Sequence, residues 1–177
     1  MRRFLDQLYA LSGALAAACL AAICITMLAQ VVTRELGVLF RGAEDITAWF
    51  CAAAAFLALG HTFRRGELVR MGLCIERLSP QRRRVAEITA LSVTTAFTGY
   101  MLWAATRFVI ESWQMNEIAQ GLIKVPIWIP QLCFVFGVAV LFVAVIDDFV
   151  AVLRGRMPAY RQAEQARRAS RDFSETL

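Results

Sequence analysis

Charge is missing from long parts of this sequence. Residues 7–33, 46–63, 88–106 and 125–146 hold no Asp, Glu, Lys or Arg, giving uncharged runs of 27, 18, 19 and 22 residues. Across the chain only 19% of residues are charged and 59% are hydrophobic, whereas soluble domains carry roughly 25% charged residues. Histidine is almost absent: His61 stands alone, so paired axial ligands for a haem are excluded. The five cysteines, Cys19, Cys24, Cys51, Cys74 and Cys133, show no C-x-x-C spacing, which speaks against a disulfide framework or a zinc site and for small apolar packing residues. No Ser-His-Asp set, H-E-x-x-H motif or phosphate loop is present. A proton-coupled exporter needs a carboxylate inside a helix, and the four runs supply none. These absences predict no catalytic, cofactor-binding or metal-binding residues: a chain that is not an enzyme.

What remains is membrane-length apolar sequence. A helix rises about 1.5 Å per residue, so roughly 20 residues cross a hydrocarbon core about 30 Å thick. All four runs reach that length or nearly so. Lipid offers backbone amides no hydrogen-bond partners, so such segments must be helices, and their Ala, Leu and Phe content shows no barrel alternation. The expected fold is an all-α membrane protein with four transmembrane helices, spanning about 7–33, 46–63, 86–112 and 125–147 within a domain of residues 1–153. A basic cytoplasmic tail, 154–177, follows. Arg2 and Arg3 resemble the positive start of a signal peptide. The first run is nevertheless about twice a signal core, and no small-residue cleavage site opens into polar chain, so the run is expected to stay as a helix.

The positive charges set an orientation. Arg2, Arg3, the seven arginines between Arg64 and Arg84 and the six from Arg154 to Arg171 make fifteen of the 19 Lys and Arg. By the positive-inside rule both termini and the middle connection are cytoplasmic. Arg64, Arg65, Arg82, Arg83 and Arg84 are the expected contacts to lipid headgroups. The net charge of +5 thus reads as membrane topology and anionic lipid contact, with no nucleic acid as partner. Leu68, Met71, Ile75 and Leu78 fall on one helical stripe, which predicts a short amphipathic helix in the interface between helices two and three. Ser79 and Pro80 read as N-cap and first residue of helix three.

Local patterns add detail. Ala14, Ala18 and Ala22, with Gly13, Ala17 and Ala21 beside them, predict close packing of helix one on helix two, where Ala48, Ala52, Ala54 and Ala58 repeat the theme. Glu44 and Asp45 stand where carboxylates favour the N-terminal end of helix two, and they are also candidates for recognising a partner outside the membrane. Arg107 and Glu111 are four apart and able to pair near the outer surface. Trp49, Trp103, Trp113 and Trp128 fit an interfacial aromatic belt. Pro126 is expected near the first turn of helix four, and Pro130 slightly deeper, removing a donor and able to kink the helix. The interior polar residues are few: Gln30, Thr94, Thr95, Thr98 and Gln131, with His61 expected as a packing or interfacial residue.

Three local patterns carry a family resemblance: Gly42-Ala43-Glu44-Asp45-Ile46 opening helix two, Arg65-Gly66-Glu67-Leu68-Val69-Arg70-Met71 after it, and Val125-Pro126-Ile127-Trp128 opening helix four, followed by Gly137. Their order, spacing and four-helix plan resemble the small membrane subunit of tripartite ATP-independent periplasmic (TRAP) transporters, the DctQ-type family, over about residues 5–152. Leu68 and Gly72 stand where the family commonly has His and Asp, and Phe136 where a proline often precedes the glycine. The resemblance implies a multi-pass protein of the bacterial inner membrane, in a sodium-coupled symport system for organic acid uptake. It implies two partners besides membrane lipids: a large membrane subunit that carries the transport sites, and a soluble periplasmic substrate-binding protein. Glu44, Asp45, Trp49, Pro126 and Trp128 are then the expected partner interface. Two other classes remain open at this level: a self-sufficient homo-oligomeric exporter or channel, and an unrelated membrane anchor or assembly factor.

Overall fold

The computed structural model describes residues 2–65 and 80–155, with side chains described over 5–65 and 84–155. Four helices account for nearly all of it: α1 (Arg2–Glu35), α2 (Ala43–Arg64), α3 (Pro80–Gln114) and α4 (Trp128–Leu153). Each contains a segment long and apolar enough to cross a membrane. At about 1.5 Å per residue, even the 22-residue α2 is about 33 Å long. The expected amphipathic helix at Leu68–Leu78, the N-cap Ser79, Cys74 and the tail beyond Gly155 lie outside the described residues.

The helices overrun the uncharged runs at several ends. Asp6, Glu44, Asp45, Arg107, Glu111, Asp147 and Asp148 are all helical. Backbone hydrogen bonding does not stop where charge begins, and a terminal side chain reaches water or a partner from within a helix. One end moves the other way. α4 starts at Trp128, because Val125 and Pro126 are taken up by an isolated antiparallel bridge between Pro126 and Ile118. Pro126 therefore lies outside the helix. Pro130 becomes the third helical residue, in the turn whose amides have no acceptor within the helix. The deeper, bond-removing position read from the sequence is corrected: Pro130 costs α4 no hydrogen bond.

The helices pack as an open row in the order α1, α2, α4, α3, with a small further contact between α1 and α4. One core cluster joins Tyr9, Phe63, Val140, Ala144 and Val145. A second joins Ala16, Ala53 and Leu57, with Cys19 and Cys133 against it. Cys24 and Cys51 instead are exposed on the outside of the row. Between the clusters α2 and α4 touch backbone to backbone at Gly137, where a Cβ would stand 2.5 Å from the carbonyl carbon of Phe56. The Phe56 and Phe134 rings meet edge to face one turn away, with centres 4.2 Å apart.

The packing of α1 on α2 is present, and of the small residues expected on α1 it is Gly13 that meets α2, at His61, rather than the alanines. Tyr9, Ser12 and Ala16 are buried, while Ala14, Ala17, Ala18 and Ala21 are exposed and Ala22 is half-buried. On α2, Ala54 is buried and Ala58 half-buried, whereas Ala48 and Ala52 are exposed. An alanine-rich helix has several small faces. Polar satisfaction selects among them: Ser12 Oγ donates to the backbone carbonyl of Leu57 at 2.5 Å, and an unmet hydroxyl is costly in an apolar setting.

Candidate interaction sites at the two ends of the row

The connection 36–42 and the segment 115–127 lie at one end of the row. Gly42, at φ 87°, turns the chain into α2, a left-handed conformation that glycine adopts without penalty. The first turn of α2 carries Glu44 and Asp45. Asp45 Oδ2 accepts a hydrogen bond from the Leu122 amide at 2.9 Å. Gly121 sits so close to this carboxylate that a Cβ there would overlap it. The segment also folds on itself, with the Ala119 amide donating to Val125 O at 2.9 Å and the Ile127 amide to Glu117 O at 3.0 Å. Buried Ser112 on α3 donates to Glu117 Oε2 at 3.0 Å and accepts from Gln131 Nε2 of α4 at 3.3 Å. An open groove of about 410 Å³ results, with Gln30, Phe40, Arg41, Glu44, Asp45 and Leu122 among its walls.

Of the expected interface residues, the structure brings Glu44 and Asp45 to this groove. Trp49, Pro126 and Trp128 are not part of its lining. Trp49 and Trp128 are half-buried on α2 and α4, and Pro126 is exposed in the bridge. The turn 120–122 was missed by sequence reasoning. Its only signal was Gly121, and a lone glycine does not say which side chain it makes room for.

The opposite end holds an ionic cluster drawn from three helices. Arg64 of α2 donates through Nη2 to Asp6 of α1 at 2.7 Å and through Nη1 to Asp147 of α4 at 3.0 Å. Its guanidinium lies 4.8 Å from the centre of the Tyr9 ring, within cation–π range. The Arg64 side chain is 23% exposed, so its charge faces its neighbours, a packing role that its assignment to headgroups did not foresee. Arg65 and Arg84 are exposed, and the side chains of Arg82 and Arg83 lie outside the described residues. A signal for this cluster existed. Asp6, Arg64 and Asp147 each bound an uncharged run, and in an antiparallel four-helix plan those three boundaries fall at one depth.

Next to the cluster His61 approaches α1. Its Nδ1 lies 3.0 Å from the carbonyl oxygen of Tyr9, so a protonated Nδ1 donates to it. The imidazole rests on Gly13, where a Cβ would come within 2.9 Å of the ring. His61 is thus a packing residue at the α1–α2 contact. The interior threonines are equally self-contained: Thr94, Thr95 and Thr98 donate to carbonyls one turn back at 2.8, 2.7 and 2.8 Å. Arg107 and Glu111 pair at 3.6 Å on the exposed side of α3.

Membrane-length helices in an open row, with ionic groups gathered at the two ends, define a multi-pass membrane protein whose middle is built for apolar contact. Over residues 23–155 the chain matches the family described as Tripartite ATP-independent periplasmic transporters, DctQ component, and it belongs to that family. The resemblance read from the sequence is therefore borne out. This is a family of transporter components and not of enzymes, whose members generally work with a large membrane subunit and a binding protein. Comparison with curated proteins finds no match.

Proposed function

We propose that this chain is the small membrane subunit of a sodium-coupled TRAP transporter for organic acids in the bacterial inner membrane. In this reading it braces the scaffold of the large transport subunit and helps dock the periplasmic binding protein. Its termini face the cytoplasm, so that the groove end faces the periplasm. The observation that carries the bracing role is the open row. The most apolar window of α1 is 6% buried within the chain and that of α3 is 17% buried. Among the described residues the helices form a row that encloses no path for a solute, and the threonine hydroxyls bond to their own helices. What it offers is broad apolar area. Val93, Phe97, Tyr100 and Trp103 form one exposed stripe on α3, and Ile25, Leu28 and Val32 another on α1. Such faces suit lipid on one side and the fixed part of a larger membrane protein on the other.

The test is reconstitution. The chain should co-purify with the large subunit, and liposomes holding both should take up an organic acid with a sodium gradient when the binding protein is added. Uptake should fall to background when this chain is left out. Liposomes containing this chain alone should show no flux. Solute accumulation by the chain alone would replace the bracing role with that of a self-sufficient transporter.

A further inference from the structure

Glu44 and Asp45 are adjacent and read as one acidic pair, but their carboxylates are placed differently. Glu44 is exposed, and among the described residues its side chain makes no hydrogen bond or ion pair. Asp45 is half-buried and turned toward the turn 120–122. It accepts from the Leu122 amide at 2.9 Å, with Gly121 packed against the same carboxylate. A hydrogen bond to an ionised acceptor is about twice as strong as a neutral one. The segment's other ties, among them Ala119 to Val125, Val125 to Ile123, Ile127 to Glu117 and Ser112 to Glu117, lie outside the turn itself. Asp45 is thus the side chain that fastens the turn to α2. The turn displays Gln120 and Leu122, the latter 71% exposed, and Leu39, which lines the same groove, is 73% exposed. Arg41 and Glu44 line the same groove and are both exposed.

Resting on the docking role proposed above, we infer that Asp45 is a positioning residue that holds the turn 120–122, while Glu44 is the carboxylate that meets the soluble binding protein. The surface so formed joins the exposed apolar side chains of Leu39 and Leu122 with one cation, Arg41, and two carboxylates, Glu44 and the tethered Asp45. It fits a protein patch that offers apolar side chains together with a basic group to meet Glu44. An anionic lipid headgroup would satisfy Arg41 and be repelled by Glu44. A turn already fastened spares the partner the entropy of ordering it on contact.

The experiment uses the full chain in complex with the large subunit in lipid nanodiscs. Two quantities are read: the affinity for the binding protein, and amide hydrogen exchange at Leu122. Asp45→Ala should speed exchange at Leu122 and weaken docking about tenfold, in line with loss of one charge-assisted bond. Asp45→Asn, which keeps an acceptor oxygen, should restore most of both. Glu44→Gln should weaken docking with exchange at Leu122 unchanged. Unaltered exchange in the α4 amides confirms that each variant is folded. Faster exchange at Leu122 with full docking affinity in Asp45→Ala overturns the positioning role, as does exchange that does not change. If Glu44→Arg leaves docking intact while Asp45→Ala still frees the Leu122 amide, the docking reading itself has failed, and the inference falls with it.

Discussion

Gly137 lays the backbone of α4 against the peptide group that follows Phe56 on α2, with room for a hydrogen and not for a methyl group. Dispersion between closely apposed backbones is a main source of helix attraction in lipid, where burying apolar surface from one apolar medium into another adds little. Gly137→Ala is therefore expected to destabilise the purified protein by about 1–3 kcal/mol, and Gly137→Leu to separate α2 from α4. Thermal unfolding in detergent checks the first, and a cysteine crosslink between the two helices checks the second. Wild-type stability in Gly137→Ala would contradict so close a crossing.

Arg64 ties three helices, so its removal should exceed the loss of an ordinary surface pair. Exposed ion pairs contribute about 0–1 kcal/mol. Arg64 forks to two carboxylates from a partly buried position, and Arg64→Ala should cost about 1–2 kcal/mol. Arg64→Lys should recover only part, because an ammonium lacks the planar fork that reaches both oxygens. Double-mutant cycles with Asp6→Asn and Asp147→Asn should give coupling at both contacts, weakened by added salt. Simple additivity in both cycles would show that the cluster does not act as a unit.

Gly13 and His61 form a steric pair across α1 and α2. Gly13→Ala drives a methyl group into the imidazole and should destabilise the α1–α2 contact by roughly 1 kcal/mol or more. In a His61→Ala background the same change should be close to neutral, because the obstructing ring is gone. The coupling appears as a difference between the two unfolding midpoints. Equal effects in both backgrounds would mean that the ring moves aside freely.

Orientation is open to direct measurement by cysteine labelling. In a variant whose native cysteines are replaced, a cysteine in place of exposed Leu39 should react with a membrane-impermeant maleimide added to intact cells. One in place of Arg154 should react only after the membrane is broken. The reverse pattern would place the groove in the cytoplasm and remove both the docking proposal and the orientation behind it.

Much of this architecture was legible before any tertiary contact was known. The uncharged runs marked four helices because lipid permits few alternatives, and the patterns around Glu44, Pro126 and Gly137 led to the family. Proline at the first residue of α3 was read correctly. On α1 only Gly13 of the expected small residues meets α2. Ala14 and Ala18 have the right size and spacing yet lie exposed, because small size permits close contact at many faces and selects none. Ser12 selects the face, through a carbonyl 45 positions away. Of the five residues that the resemblance marked as a partner interface, only Glu44 and Asp45 line the groove, a grouping that no local pattern in the sequence encodes.

The sequence by itself determined how many times this chain spans the membrane, because a backbone in hydrocarbon must satisfy its own hydrogen bonds and length with missing charge is enough to mark where that happens. Which side chains meet was decided only by the tertiary structure. Arg64 could have faced headgroups or carboxylates, and Asp45 could have faced solvent or a loop amide. Those choices depend on distances between segments remote in the chain, and a local pattern does not encode them.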